Sequence, residues 1–275
     1  MTPVDATPRA VPYALTIASS DSSGGAGVQA DLKTMARLGV YGGAVIVATT
    51  AQNTTGVRST SLLPTDEVRS QYEAVVDDVD VGAVKTGMLA TTDGVRTVHD
   101  CLRSFDGPVV VDPVTVATSG DRLLEAEAVD AYRDLFAEAT LVTPNADETA
   151  ELVGERPDSP AARERAADRF FDWGADAVLF KGGHVDDGSG TVTDVLVTDG
   201  ERGPRAFDAE RLDTDATHGS GCTLSSAIAA GLAGGLPLSG AVKRGIEFVR
   251  AGLREPALVG QNGSVNHLAW SEPET

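Results

Sequence analysis

Short apolar runs alternate along this chain with longer segments of helical spacing. Residues 13–18 form an apolar run, a Ser/Gly-rich break follows over 19–27, and residues 28–38 take up helical periodicity that stops at Gly39. Residues 44–50 are β-branched and predict a buried strand, ending in the polar cluster Ala51-Gln-Asn-Thr-Thr-Gly56. Pro64 and Thr65 open a helix with Val68, Tyr72, Val75, Val76 and Val79 on one face. The pattern then predicts strands over 83–86, 108–112, 141–143, 177–181 and 192–198, and helices over 92–105, 123–136, 146–153 and 160–173. Two long helices close the chain, over 223–234 and 238–254.

Strand and helix in alternation predict an α/β fold with a mostly parallel central sheet and helices on both faces. Ligands of such sheets gather outside the carboxyl ends of the strands. Gln52, Lys85, Asp112, Thr143 and Lys181 each fall at or just past a predicted strand end. No repeat or low-complexity linker divides the chain, so one domain is expected over 13–268. A disordered tail is expected over 1–12 and a second tail over 269–275.

Asp215 to Leu232 reads as a glycine loop feeding a helix. Gly219 and Gly221 lack Cβ, so the amides around Ser220 can converge on one point, and the helix that follows adds its positive end. Cys222 sits at the first turn of that helix, in a field that favours thiolate. The alternative is a Gly/Ser turn before a packing helix, with Cys222 inert.

Charge narrows the partners. The 22 basic and 41 acidic residues give a net charge of −19, a field that repels nucleic acid and anionic membranes. Lysine occurs only at positions 33, 85, 181 and 243, so Lys85 and Lys181, each beside glycine, become candidates. The acidic excess resembles the surface composition of proteins from salt-loving organisms. Two cysteines give neither a disulfide framework nor metal-ligand spacing. With no membrane-length apolar run and no leader-like N-terminus, a cytoplasmic protein is expected.

Eight motifs in one order carry a resemblance that spans residues 14–267. They are Ala14-Leu-Thr-Ile-Ala-Ser-Ser-Asp-Ser-Ser-Gly-Gly-Ala-Gly-Val-Gln-Ala-Asp31, Thr50-Ala-Gln-Asn-Thr54, Lys85-Thr-Gly-Met88, Val110-Val-Asp-Pro-Val114, Ser119-Gly-Asp121, Thr143-Pro-Asn-Ala-Asp-Glu148, Lys181-Gly-Gly-His184 and His218-Gly-Ser-Gly-Cys222. By them the chain resembles the hydroxymethylpyrimidine/phosphomethylpyrimidine kinases of thiamine biosynthesis, in the ribokinase-like superfamily. The resemblance implies a three-layer α/β/α fold and transfer of phosphoryl groups from ATP to 4-amino-5-hydroxymethyl-2-methylpyrimidine and then to its monophosphate. It further implies Mg²⁺, a monovalent cation and a homodimer.

Carried over residue by residue, the resemblance places Asp31, Gln52 and Met88, with Ser19 nearby, on the pyrimidine. It places Asn145 and Lys181 on the nucleotide with Gly219 and Gly221, and Asp112 and Glu148 at the metal. Gly219, Ser220, Gly221, Lys181 and Cys222 form the catalytic set, with Cys222 where sugar-kinase relatives carry an aspartate base. The amide of Gln52 suits a ring nitrogen and amino group, and Met88 offers a soft apolar wall. Three departures stand out: Ser19 for a usual Gly, Ser220 for a usual Thr, and Val114-Thr-Val-Ala-Thr118 for a Met-containing stretch. The rival functions are a pyridoxal or pyridoxamine kinase and a non-catalytic pyrimidine sensor.

Overall fold

The computed structural model of the chain describes residues 9–114, 128–184, 190–201 and 203–271. Its first half runs β1 (Tyr13–Asp21), α1 (Gly27–Arg37), β2 (Tyr41–Asn53), β3 (Gly56–Leu62), α2 (Thr65–Val76), β4 (Ala83–Thr86), α3 (Thr92–Leu102) and β5 (Val109–Val111). The second half runs α4 (Ala128–Phe136), β6 (Leu141–Val142), α5 (Ala146–Val153), α6 (Pro160–Asp172), β7 (Ala177–Phe180), β8 (Thr191–Thr198), β9 (Arg205–Glu210), α7 (Ser220–Ala233) and α8 (Leu238–Arg254).

These strands form one sheet in the order β3-β2-β1-β4-β5-β6-β7-β8-β9. From β2 to β7 every neighbouring pair is parallel, while β3 and β8 pair antiparallel at the flanks. The three-valine strand β5 explains the layering. Val109 and Val111 pack with residues of α3, α4 and α6 in one apolar cluster, and Val110 packs with Leu224, Ile228 and Ile246 of α7 and α8 in another. Alternate side chains of a strand point to opposite faces, so a continuous apolar run needs a cover on both. The mostly parallel three-layer α/β/α expectation is therefore met.

Several boundaries differ from those the sequence predicts. β1 runs on to Asp21, and α7 begins at Ser220, which puts Ser220, Gly221 and Cys222 inside its first turn. Strands β3 and β9 were not anticipated. Five of the seven residues of β3 are exposed and no residue of β9 is fully buried, so neither edge strand writes an apolar run into the sequence. Trp270, expected in a tail, is buried against Phe248 of α8, and its carbonyl accepts from the Arg37 side chain. Much of the helix expected over 123–136, the Ser119-Gly-Asp121 motif, and most of both tails, 1–8 and 272–275, lie outside the described residues. No helix among the described residues is long and apolar enough to cross a membrane.

Candidate active site

A cavity of about 770 Å³ opens at the carboxyl ends of the parallel strands. Ser19, Gln52 and Met88 line one end, the first turn of α7 lines the middle, and Lys181, Asp194 and Arg250 line the other. Ile246, Val249 and Leu253 of α8 add an apolar wall at that second end. Nothing in the sequence distinguishes that wall from the ordinary buried face of an amphipathic helix.

At the first end, a register shift in the β2–β3 ladder between Ala51 and Gln52 re-aims the strand just where Gln52 leaves it. The Gln52 Oε1 accepts from Thr50 Oγ1 at 3.1 Å, and the Gln52 main chain exchanges two hydrogen bonds with the Ser22 hydroxyl. Ser19 is spoken for as well: its hydroxyl donates to the Met88 carbonyl at 2.9 Å and so ties β1 to the Met88 turn.

Asp31 is not at the cavity surface. It is fully buried, and its two oxygens take Lys85 Nζ at 2.9 Å each, Thr16 Oγ1 at 2.6 Å and the Ser226 hydroxyl. These partners leave Asp31 as a support for Lys85, which does line the cavity. Burial alone would lower the Lys85 pKa, yet the negative charge of Asp31, with Cys222 and Asp112 behind it, raises it.

Asp112, Glu148 and Lys181 converge at the strand ends of β5 and β7 and the start of α5. Lys181 Nζ lies 3.0 Å from Asp112 Oδ1 and 3.4 Å from Glu148 Oε2. Thr143 donates to Asp112 Oδ1 at 3.2 Å and Ser225 of α7 to its Oδ2 at 3.3 Å. Asn145 caps α5 through a capping box: its side chain accepts from the amides of Asp147 and Glu148, and its own amide donates to Glu148 Oε2 at 2.7 Å. The cap fixes where the Glu148 carboxyl points. Burial lifts the Glu148 pKa to about 7 against the pull of Lys181, and Asp112 adds to the rise.

In the loop before α7 the Ser220 amide donates to the Thr217 carbonyl at 3.0 Å. Gly219 sits at φ 79°, and a Cβ there would fall 1.8 Å from the Gly25 carbonyl oxygen, so only glycine fits. A Cβ on Gly221 would come within 3.4 Å of Lys181 Nζ and 3.7 Å of Asp112 Oδ2, which places the first turn of α7 beside the Lys181 cluster. Cys222 departs from expectation. Burial drives its thiol up to about 11, Lys85 and the Gly27 amide oppose the rise, and Asp31 and Asp112 reinforce it. The cation beside the thiol is Lys85, and its charge is already paired with Asp31.

Of the predicted residues, Ser19, Gln52, Met88, Asp112, Asn145, Glu148, Lys181, Gly219, Ser220, Gly221 and Cys222 all border one cavity. Sequence reasoning assigned no role to Asp21 or His218, which also line it, although both stand inside the motifs quoted above.

The family profile described as phosphomethylpyrimidine kinase matches residues 21–266. A hydroxymethylpyrimidine/phosphomethylpyrimidine kinase of Streptomyces coelicolor is 46% identical over 262 residues, 94% of this chain and 95% of that protein. Among solved structures, an ADP complex of Bacillus subtilis pyridoxal kinase superposes with a TM-score of 0.85 at 34% identity, covering 94% of this chain and 98% of that one. A phosphomethylpyrimidine kinase from Clostridium difficile gives 0.75 at 37% identity, covering 86% and 97%. With the profile spanning most of its length and a relative this similar aligned nearly end to end, the chain belongs to the phosphomethylpyrimidine kinase family.

Proposed function

We propose that the protein phosphorylates 4-amino-5-hydroxymethyl-2-methylpyrimidine at its hydroxymethyl group with ATP, and then phosphorylates the monophosphate to the diphosphate. The observation that carries this reading is the single cavity that joins Gln52 and Met88 to the amides of the α7 turn and on to Lys181. An acceptor at one end and a nucleotide at the other would meet at Gly219–Gly221. Family membership and the pyrimidine kinases among its relatives point the same way. The ADP complex of a structural neighbour supports ATP as the donor.

Phosphoryl transfer passes through a loose transition state, so catalysis consists mainly of positioning and of stabilising charge on the phosphoryl oxygens. In this reading Gln52 orients the pyrimidine, the Gly219–Gly221 amides receive the transferred group, and Lys181 meets the phosphates. Asp112 and Glu148 are two buried carboxyl groups facing one ammonium, an excess of acceptor oxygens. That donor set suits Mg²⁺, which binds through one or two carboxylates and keeps its waters. Among the described residues there is no cluster of three or more His, Cys, Asp or Glu side chains placed to hold a metal, and this reading requires none. Bound there, the ion would neutralise phosphate charge. No residue is assigned to a monovalent cation. A cytoplasmic homodimer is part of the same proposal.

The test is a kinase assay with the hydroxymethylpyrimidine, its monophosphate, pyridoxal, pyridoxamine and ribose, following product phosphate by mass. Turnover of the first two at a higher kcat/KM than pyridoxal is expected. Preference for pyridoxal would favour the second reading, which the similarity to pyridoxal kinase keeps in play.

A further inference from the structure

We propose that Asp21 and His218 are positioning residues, a pair that locks the loop after β1 to the anion loop and so sets the direction of the Gly219–Gly221 amides. The proposal rests on the phosphotransferase reading of the cavity. Neither residue belongs to the Lys85 or Lys181 cluster.

Asp21 is 2% exposed yet heavily bonded. Its carboxylate accepts from the Ser23 amide and hydroxyl at 2.8 Å, from the amides of Gly25 at 3.1 Å and Ala26 at 2.9 Å, and meets His218 Nε2 at 3.0 Å. Burial works to raise its pKa, but His218 and the Ser23 and Ala26 bonds outweigh it and hold the carboxyl below its usual value. An ionised carboxylate only accepts, so the proton in this contact is on Nε2.

Four contacts make the pair a lock rather than a casual bond. On the far side, the His218 carbonyl accepts from Ser264 Oγ at 3.2 Å and from the Val265 amide at 3.3 Å, so the main chain is already pinned by the segment after α8. On the near side there is no slack: a Cβ on Gly25 would lie 2.4 Å from His218 Cδ2, and one on Gly219 would lie 1.8 Å from the Gly25 carbonyl. His218 also immediately precedes Gly219, the N-cap of α7. Loss of the Asp21 contact would release the side of the loop that faces β1, leaving Gly219 and the amides after it held only from the Ser264–Val265 side. A misplacement of about 1 Å in such donors costs about 10²-fold in rate.

The experiment compares His218→Ala with His218→Gln, whose terminal N–H can reach the same carboxylate. For His218→Ala, kcat should fall about 10- to 100-fold in both phosphorylations while the KM for ATP stays within about three-fold. His218→Gln should keep kcat within about three-fold of wild type. Hydrogen exchange gives a readout independent of turnover: amide protection over residues 219–223 should drop in His218→Ala and persist in His218→Gln. Wild-type kcat or unchanged protection in His218→Ala would overturn the proposal. So would a His218→Gln variant that melts normally but turns over at a tenth of the wild-type rate, and that variant decides alone if His218→Ala does not fold. Wild-type turnover is measured first, so failure of the kinase reading is seen separately from failure of the lock.

Discussion

Lys85 and Lys181 occupy matching places, one near the end of β4 and one just past β7, yet their partners differ. Lys85 meets one carboxylate, Asp31, with both side chains fully buried. Lys181 is 12% exposed and faces two, Asp112 and Glu148. The first cluster is closed and its charges balance. The second carries one acid more than it has bases, as the proposed nucleotide and Mg²⁺ site would require. Two lysines that look alike in sequence thus sit in a fully buried one-to-one pair and in a partly open cluster, and the number of acids around each makes the difference.

The largest expected effect breaks the closed pair. Asp31→Ala would leave the Lys85 ammonium buried without its main counter-charge, a loss of about 3–5 kcal/mol in unfolding free energy. Asp112→Asn leaves the Lys181 ammonium, itself 12% exposed, with Glu148 as a second counter-charge, so its cost should be smaller than that of Asp31→Ala. Urea unfolding of both variants measures this. A greater loss in Asp112→Asn than in Asp31→Ala would contradict the closed-and-open assignment.

The alternation of apolar runs made most of the fold legible in the sequence, because the inner parallel strands β1, β4, β5, β6 and β7 are buried on both faces and so write a continuous pattern. Strands β3 and β9 stayed hidden because they sit at the exposed edges and bury almost nothing. The site was legible where a motif fixes backbone shape, as at Gly219 and the Asn145–Glu148 capping box. It was misread where the role depends on what a side chain meets across the fold. The resemblance sets Asp31 on the pyrimidine, and only the approach of Lys85, 54 positions away, shows its oxygens already bonded. The Asp21–His218 contact spans 197 positions and leaves no local trace.

Cys222 tests the middle ground, since its thiol lies between the two clusters and feels both. With the pKa pushed up to about 11 by burial, it is a thiol at neutral pH in the ligand-free protein. A base role would then be weak, and Cys222→Ala should lower kcat by about 10²-fold, the lower end for general bases and about 2.7 kcal/mol. Cys222→Asp, ionised at neutral pH, should retain activity. The wild-type rate should climb from pH 7 toward 10 as thiolate forms, and the Asp variant should stay flat. Wild-type kcat in Cys222→Ala at saturating substrates would make the thiol a packing residue only.

The smallest effect separates buried charge from surface charge. With 41 acids against 22 bases, like-charge repulsion outweighs attraction on the surface. Exposed ion pairs such as Arg165–Glu155 and Arg156–Asp147 pull the other way and are screened by the same salt, but solvent-exposed pairs contribute little. The excess of 19 negative charges should therefore decide the sign, and the melting temperature should rise with KCl. The screening length falls from about 10 Å at 0.1 M to about 3 Å at 1 M salt, yet ions do not enter the space between Asp31 and Lys85. Asp31→Ala should accordingly melt lower than wild type at every salt concentration while gaining the same increment from KCl. A melting temperature that is flat from low to molar salt would remove the salt-adapted reading of the acidic surface. An increment that shrinks in Asp31→Ala would mean that salt reaches the Asp31–Lys85 pair after all, and that the pair is not closed.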